Sequence, residues 1–125
     1  MTIAFIGGGN IAESMIAAVR RRRLTEAADI LVAEPQPSRR QFLTKKYRLR
    51  VVEDARSAVS GAGLVVLAIK PQDLSSVLAQ LTGKLAQDQL LLSVVAGATL
   101  DILRNGHSTL VRAMPNINAR GGTAV

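Results

Sequence analysis

The sequence predicts an α/β fold, a doubly wound and mostly parallel sheet with helices on both faces. Three observations predict it. Short apolar runs alternate with amphipathic segments of helical length, the pattern of successive β-α units. The runs are rich in Val, Ile and Leu and nearly uninterrupted, as strands covered on two sides must be. The first run leads at once into three glycines and the start of a helix.

Thr2 to Ile6 forms the first strand, and IAESMIAAVRRRR reads as a helix turning Ile11, Met15, Ala18 and Val19 to the sheet. Arg20 to Arg23 fall at its carboxyl end, where cations favour the helix dipole. DILVAE, 29–34, is the second strand. Pro35, Pro37 and Ser38 punctuate its end, and SRRQFLTKKY continues as a helix with Ser38 as its cap. RLRVV supplies a short third strand, after which Asp54 caps ARSAVSGA, a short helix ended by glycine. GLVVLAI, 63–69, has the unbroken apolar character of a central strand. A helix follows Pro71 with Leu74, Val77, Leu78 and Leu81 on one side. QLLLSVVAG, 89–97, is a fifth strand, TLDILRNG a short helix, and STLVRAM, 108–114, a sixth strand.

With 125 residues and 48% hydrophobic content, the chain suits one compact domain. Phe5, Phe42 and Tyr47 are its only aromatic residues, so the core is aliphatic. The absence of cysteine excludes disulfides and thiolate metal ligands and leaves the redox compartment open. No run reaches the roughly 18 apolar residues of a membrane span, and a soluble, cytoplasmic protein without a membrane partner is expected. A net charge of +7 raises nucleic acid as a partner. No aromatic stacking platform or recognition motif accompanies that charge, so no nucleic acid is expected. An anionic small molecule would use the same field.

Gly7-Gly8-Gly9-Asn10-Ile11-Ala12 fits the form G-x-G-x-x-G/A, after a strand and opening a helix, as a Rossmann-like dinucleotide site requires. Gly7 permits a tight turn, Gly9 lets backbone approach a pyrophosphate, and Ala12 allows close helix packing. The helix N-terminus offers N–H groups to the phosphates. Glu34, ending the second strand, can accept hydrogen bonds from an adenine-ribose diol and points to NAD. Gln36, Ser38, Arg39 and Arg40 point to NADP, because a 2′-phosphate could meet a hydroxyl and guanidinium groups. A solvated Glu and a basic helix face explain the same residues, so the choice of cofactor stays open.

Ala68, Lys70, Pro71 and Gln72, in AIKPQ, end the fourth strand on the edge that carries the glycine loop, where Lys70 and Gln72 could face a cofactor. A plain strand-to-helix turn is the competing reading. Ala96 and Gly97 end the fifth strand, and Met114, Pro115 and Asn116 the sixth, on the same edge. His107 precedes the sixth strand and belongs at the opposite edge, which removes it as a catalyst. Glu13 could influence the glycine loop, but a solvated residue favouring the helix dipole is the preferred reading. No metal cluster or catalytic triad is visible.

Together FIGGGNIAES, VVLAIKPQ, SVVAGATLDIL and VRAMPN resemble the amino-terminal domain of pyrroline-5-carboxylate reductases, through nearly the whole chain. GGGNIA is shared with many dehydrogenases; KPQ followed at this spacing by SVVAG and RAMPN is more specific. The resemblance implies that Gly7, Gly9, Asn10 and Ile11 border the pyrophosphate and that Lys70, Pro71 and Gln72 lie near the nicotinamide ribose. It implies that Ala96 and Gly97, with Met114, Pro115 and Asn116, line the inner end of the cleft. It favours NADPH, with Ser38, Arg39 and Arg40 at the phosphate end. The implied reaction delivers hydride to the C=N carbon of 1-pyrroline-5-carboxylate to give L-proline, and no catalytic side chain is assigned. Residues 1–125 would then be a dinucleotide-binding domain cut from a longer chain, without the helical domain that binds substrate and builds a homo-oligomer. Ile117-Asn118 departs from the family's usual Thr-Pro after MPN. Other oxidoreductases of the β-hydroxyacid dehydrogenase or deazaflavin-linked type, and a stand-alone dinucleotide sensor, are the alternatives.

Overall fold

The computed structural model describes residues 2–95 and the strand residues 110–112. Strands β1 (Ile3–Ile6), β2 (Ile30–Ala33), β3 (Arg50–Val52), β4 (Leu64–Leu67), β5 (Leu90–Ser93) and β6 (Leu110–Arg112) form one sheet in the order β3-β2-β1-β4-β5-β6. Every pairing is parallel. The order reverses between β1 and β4, and such a reversal opens a crevice at the carboxyl ends of the strands. This is the Rossmann-like, doubly wound architecture that the sequence predicts.

Alternation along each strand divides the core into two layers. Ala4, Ile6, Val65 and Leu67 pack with Ala58 and Val59 of helix α3 (Ala55–Val59) and Leu74 and Leu81 of helix α4 (Leu74–Leu81). Ile3, Phe5, Val32 and Val66 pack on the other face with Ala12 and Ile16 of helix α1 (Asn10–Arg21) and Leu43 of helix α2 (Pro37–Tyr47). Among the described residues, no helix is long and apolar enough to cross a membrane.

Two local expectations need correction. Ile11 does not face the sheet; it is 38% exposed, whereas Ile16, four residues past Ala12, is fully buried. At about 100° per residue, Ala12, Met15, Ile16 and Val19 share one face and Ile11 lies roughly 100° from Ala12. Ser38 does not cap α2. Pro37 takes the first helical position, where its fixed φ and missing N–H cost nothing, so Gln36 becomes the cap residue. Asp54 does cap α3, accepting from the Ser57 N–H at 2.8 Å. The arginine run ends α1 as expected, with Arg20 and Arg21 in the last turn. Arg23 adopts φ 55°, and the Leu24 and Arg23 N–H groups bond back to the Val19 and Arg20 carbonyls, a Schellman closure.

The two isoleucines of α1 give a direct check. Ile16→Ala should destabilise the fold by roughly 2–5 kcal/mol and Ile11→Ala by about 0.5 kcal/mol or less, read as urea midpoints. Equal losses would place both side chains in the core.

Candidate functional site

The parallel register brings three strand ends level. Ile6 pairs with Ala33 on one side and Leu67 on the other, so Gly7, Glu34 and Ala68 emerge side by side. Gly7 turns the chain out of β1 at φ 103°, and a Cβ there would stand 2.5 Å from the Ala68 carbonyl oxygen. Both conformation and space therefore demand glycine. The Gly7 N–H donates to the Ala33 carbonyl at 2.8 Å, and the Ala68 N–H donates to the Ile6 carbonyl at 2.8 Å.

Gly8 is held from both sides. Its N–H donates to Glu34 Oε1 at 2.9 Å, and its carbonyl accepts from Arg39 Nε. A Cβ at Gly8 would meet Leu43 Cδ1 at 2.7 Å and Glu34 at 3.3 Å. Glu34 is itself buried, and its second oxygen accepts the Gln36 N–H at 2.9 Å. Two backbone donors thus compensate the burial of its charge.

Gly9 is the opposite case: a Cβ there would meet nothing within 4 Å. It precedes α1 as the N-cap and supplies no side-chain cap. The opening N–H groups of a helix have no intrahelical acceptor, and they attract anions. The residues at this position therefore suit a phosphate group, with backbone donors and no side chain in the way.

A cleft of about 500 Å³ runs along this edge. Of the residues singled out in the sequence for the cofactor, Gly7, Gly8, Gly9, Glu34, Gln36, Arg39, Ala68 and Lys70 line it. Asn10 and Ile11 are exposed in the first turn of α1, and Ala12 is buried at the helix–sheet contact. Pro71 and Gln72 are exposed in the 3-10 turn Pro71–Asp73, beside Lys70. Ser38 is exposed and does not line the cleft. Arg40 Nη1 donates to the carbonyls of Glu34 at 2.9 Å and Pro35 at 2.7 Å. Ala96, Gly97, His107, Met114 and Asn116 lie outside the described residues. Glu53, Asp73, Ser76 and Gln80, which no sequence motif marks, also line the cleft. Glu53 directly follows β3, and that position alone predicts this edge.

Residues 2–97 match the family model described as NADP oxidoreductase, coenzyme F420-dependent. The chain belongs to this family. Its expected likeness to the amino-terminal cofactor-binding domain of pyrroline-5-carboxylate reductases also holds. It is 36% identical over 125 residues to a pyrroline-5-carboxylate reductase of Synechocystis sp., covering 98% of this chain and 46% of that protein. The solved pyrroline-5-carboxylate reductase of Coxiella burnetii superposes with a TM-score of 0.91 at 28% identity, over 98% of this chain and 47% of that one. A Plasmodium falciparum pyrroline carboxylate reductase, solved with NADP bound, shares the fold with a TM-score of 0.84 at 20% identity, over 99% of this chain and 45% of that one. The chain therefore spans about half the length of these relatives. The family fold is one of NAD(P)-dependent oxidoreductases.

Within this family fold, Glu13 is not the solvated residue expected. Only 18% of its side chain is exposed. Oε1 accepts from Arg39 Nη2 at 2.8 Å, while Oε2 accepts from Tyr47 Oη at 2.7 Å and Lys46 Nζ at 3.0 Å. Burial pushes the Glu13 carboxyl up, but the hydrogen bonds from Tyr47, Arg39 and Lys46 outweigh it and bring the pKa from 4.5 down to about 2. Burial and the hydrogen bond to Glu13 push the Tyr47 hydroxyl upward in turn. The missed signal is non-local: all three donors belong to α2.

A carboxyl depressed on folding stabilises the native state above its unfolded pKa and loses that contribution as pH falls through the folded one. The Glu13 contribution should therefore be complete above pH 4.5 and disappear towards pH 2. Glu13→Gln should be less stable by roughly 1 kcal/mol at pH 7. The stability gap between wild type and variant, measured by urea denaturation at successive pH values, should close across that window. A constant gap would mean that the Glu13 charge contributes nothing.

Proposed function

We propose that this chain is the cofactor half of a pyrroline-5-carboxylate reductase that uses NADPH, with NADH as the weaker cofactor. Helical sequence beyond it would supply substrate contacts and a homo-oligomer. The observation that carries the reading is the open approach at Gly9 beside an uncapped helix N-terminus, on the sheet edge where Lys70 and Arg39 also stand. The Synechocystis and Coxiella relatives support the substrate, and the Plasmodium relative solved with NADP supports the cofactor.

Under this reading the first turn of α1, with Gly7, Gly9, Asn10 and Ile11, receives the pyrophosphate. Lys70, Pro71 and Gln72 border the nicotinamide ribose. A reduced nicotinamide held there would supply the hydride that, with a proton on the ring nitrogen, converts the imine of 1-pyrroline-5-carboxylate to L-proline and leaves the oxidised cofactor. The chain's own residues bind and orient; a protonated imine already draws hydride to carbon, so no protein acid is assigned. The family description favours a second reading, an NADP oxidoreductase that works with coenzyme F420. Assays of the full-length protein with NADPH and 1-pyrroline-5-carboxylate, against NADP and reduced coenzyme F420, separate the two.

The glycines test the cofactor site itself. Gly9→Ala should change stability by about 0.5 kcal/mol or less and weaken NADPH binding on the order of tenfold in calorimetric titration. Gly7→Ala should cost roughly 2 kcal/mol or more of stability because its Cβ has no room. A Gly9→Ala protein that bound NADPH like the wild type would remove the pyrophosphate from this loop.

A further inference from the structure

Arg39 and Arg40 are adjacent in sequence and differ in what they have left to give. Arg39 lines the cleft. Its Nε donates to the Gly8 carbonyl, its Nη2 donates to Glu13 Oε1 at 2.8 Å, and its guanidinium carbon lies 4.8 Å from the centroid of the Phe42 ring. Its Nη1 has no acceptor among the described residues. Arg40 uses Nη1 on the carbonyls of Glu34 and Pro35 and does not line the cleft.

Glu13 cannot follow Arg39 if the arginine moves, because its other oxygen is held by Tyr47 Oη and Lys46 Nζ at 2.7 Å and 3.0 Å. An arginine restrained by a backbone carbonyl, a carboxylate and an aromatic face offers its remaining N–H groups with its orientation already chosen. Ordering that long side chain is then no longer a cost of binding. The donor left over, Nη1 with its N–H groups, suits a phosphate oxygen. It lies beside Gly8 and thus at the Glu34 side of the cleft, where an adenine ribose would sit under the reading above.

We infer that Glu13 is a specificity-determining positioning residue: it touches no cofactor, and it fixes Arg39 so that Arg39 Nη1 meets the 2′-phosphate that distinguishes NADPH from NADH. The inference rests on the proposed NADPH site and adds that Arg39, not Arg40 or Ser38, carries the discrimination, with Glu13 as its support.

The test is the ratio of NADH to NADPH dissociation constants for the full-length protein, measured by calorimetry for wild type, Glu13→Gln, Arg39→Ala and the double variant. Glu13→Gln should raise the NADPH constant roughly fivefold or more and change the NADH constant by less than about twofold. Arg39→Ala should lose the discrimination, and adding Glu13→Gln to it should move the ratio no further. If Glu13→Gln does not fold, Tyr47→Phe, which removes one donor from Glu13, replaces it and should shift the ratio in the same direction by about twofold. Equal weakening of both cofactors, an unchanged ratio, or a shift that persists without Arg39 overturns the inference and leaves the cofactor site in place. A folded wild type that binds neither dinucleotide overturns the site and the inference together.

Discussion

The site depends on one constraint, the exit of the chain from the central strand. β1 has neighbours on both sides, so whatever follows Ile6 must leave between the ends of β2 and β4. A side chain at that point would run into the Ala68 carbonyl, and the backbone must take φ 103°. Glycine alone meets both demands. Because Gly7 bonds to Ala33 and Ala68 bonds to Ile6, the turn also locks the neighbouring strand ends level. The glycine loop, Glu34 and Lys70 are thereby gathered on one edge by strand register.

The next peptide is polarised by its surroundings. Gly8 donates its N–H to a carboxylate and receives a guanidinium on its carbonyl, each charge meeting the end of the peptide dipole that favours it. Glu34 and Arg39 thus first act on the loop. An ionised carboxylate has about four acceptor positions, and Glu34 has used two on N–H groups. It retains capacity to accept from a ribose hydroxyl while it holds the loop. The two roles proposed for an acid at the end of β2, anchor and ligand, are compatible at this residue.

Much of this was legible in the residues. The parallel, doubly wound sheet follows from alternating apolar runs and helical connections, and Gly7 and Ala12 from the spacing of a known turn. What was not legible shares a physical cause. Ile11 reads as a core residue because it stands four residues before Met15, but the buried face runs through Ala12 and Ile16, one residue on and about 100° round the helix. Ser38 reads as a cap because hydroxyls cap well, but Pro37 decides where the helix begins and makes Gln36 the cap residue. Glu13 looked like an isolated acid, since its partners lie 26 to 34 residues away on another helix. No local pattern records that α1 and α2 share a face of the sheet closely enough for one carboxylate to collect three donors.

The distribution of charge refines what the excess of positive charge can mean. Of the sixteen basic residues, Arg20 and Arg21 sit in the last turn of α1, and Lys46 is paired with Glu13. Among the described residues, Arg39 and Lys70 are the basic side chains that line the cleft, against Glu34, Glu53, Asp54 and Asp73. A broad positive field is therefore not what would draw a dinucleotide into this cleft. Attraction would come from groups at short range: the N–H groups opening α1, Arg39 Nη1 and the ammonium of Lys70. Such an arrangement makes binding depend on the geometry of a few donors more than on total charge. A single carboxylate behind one arginine can consequently matter more than the whole basic run at the other end of the helix.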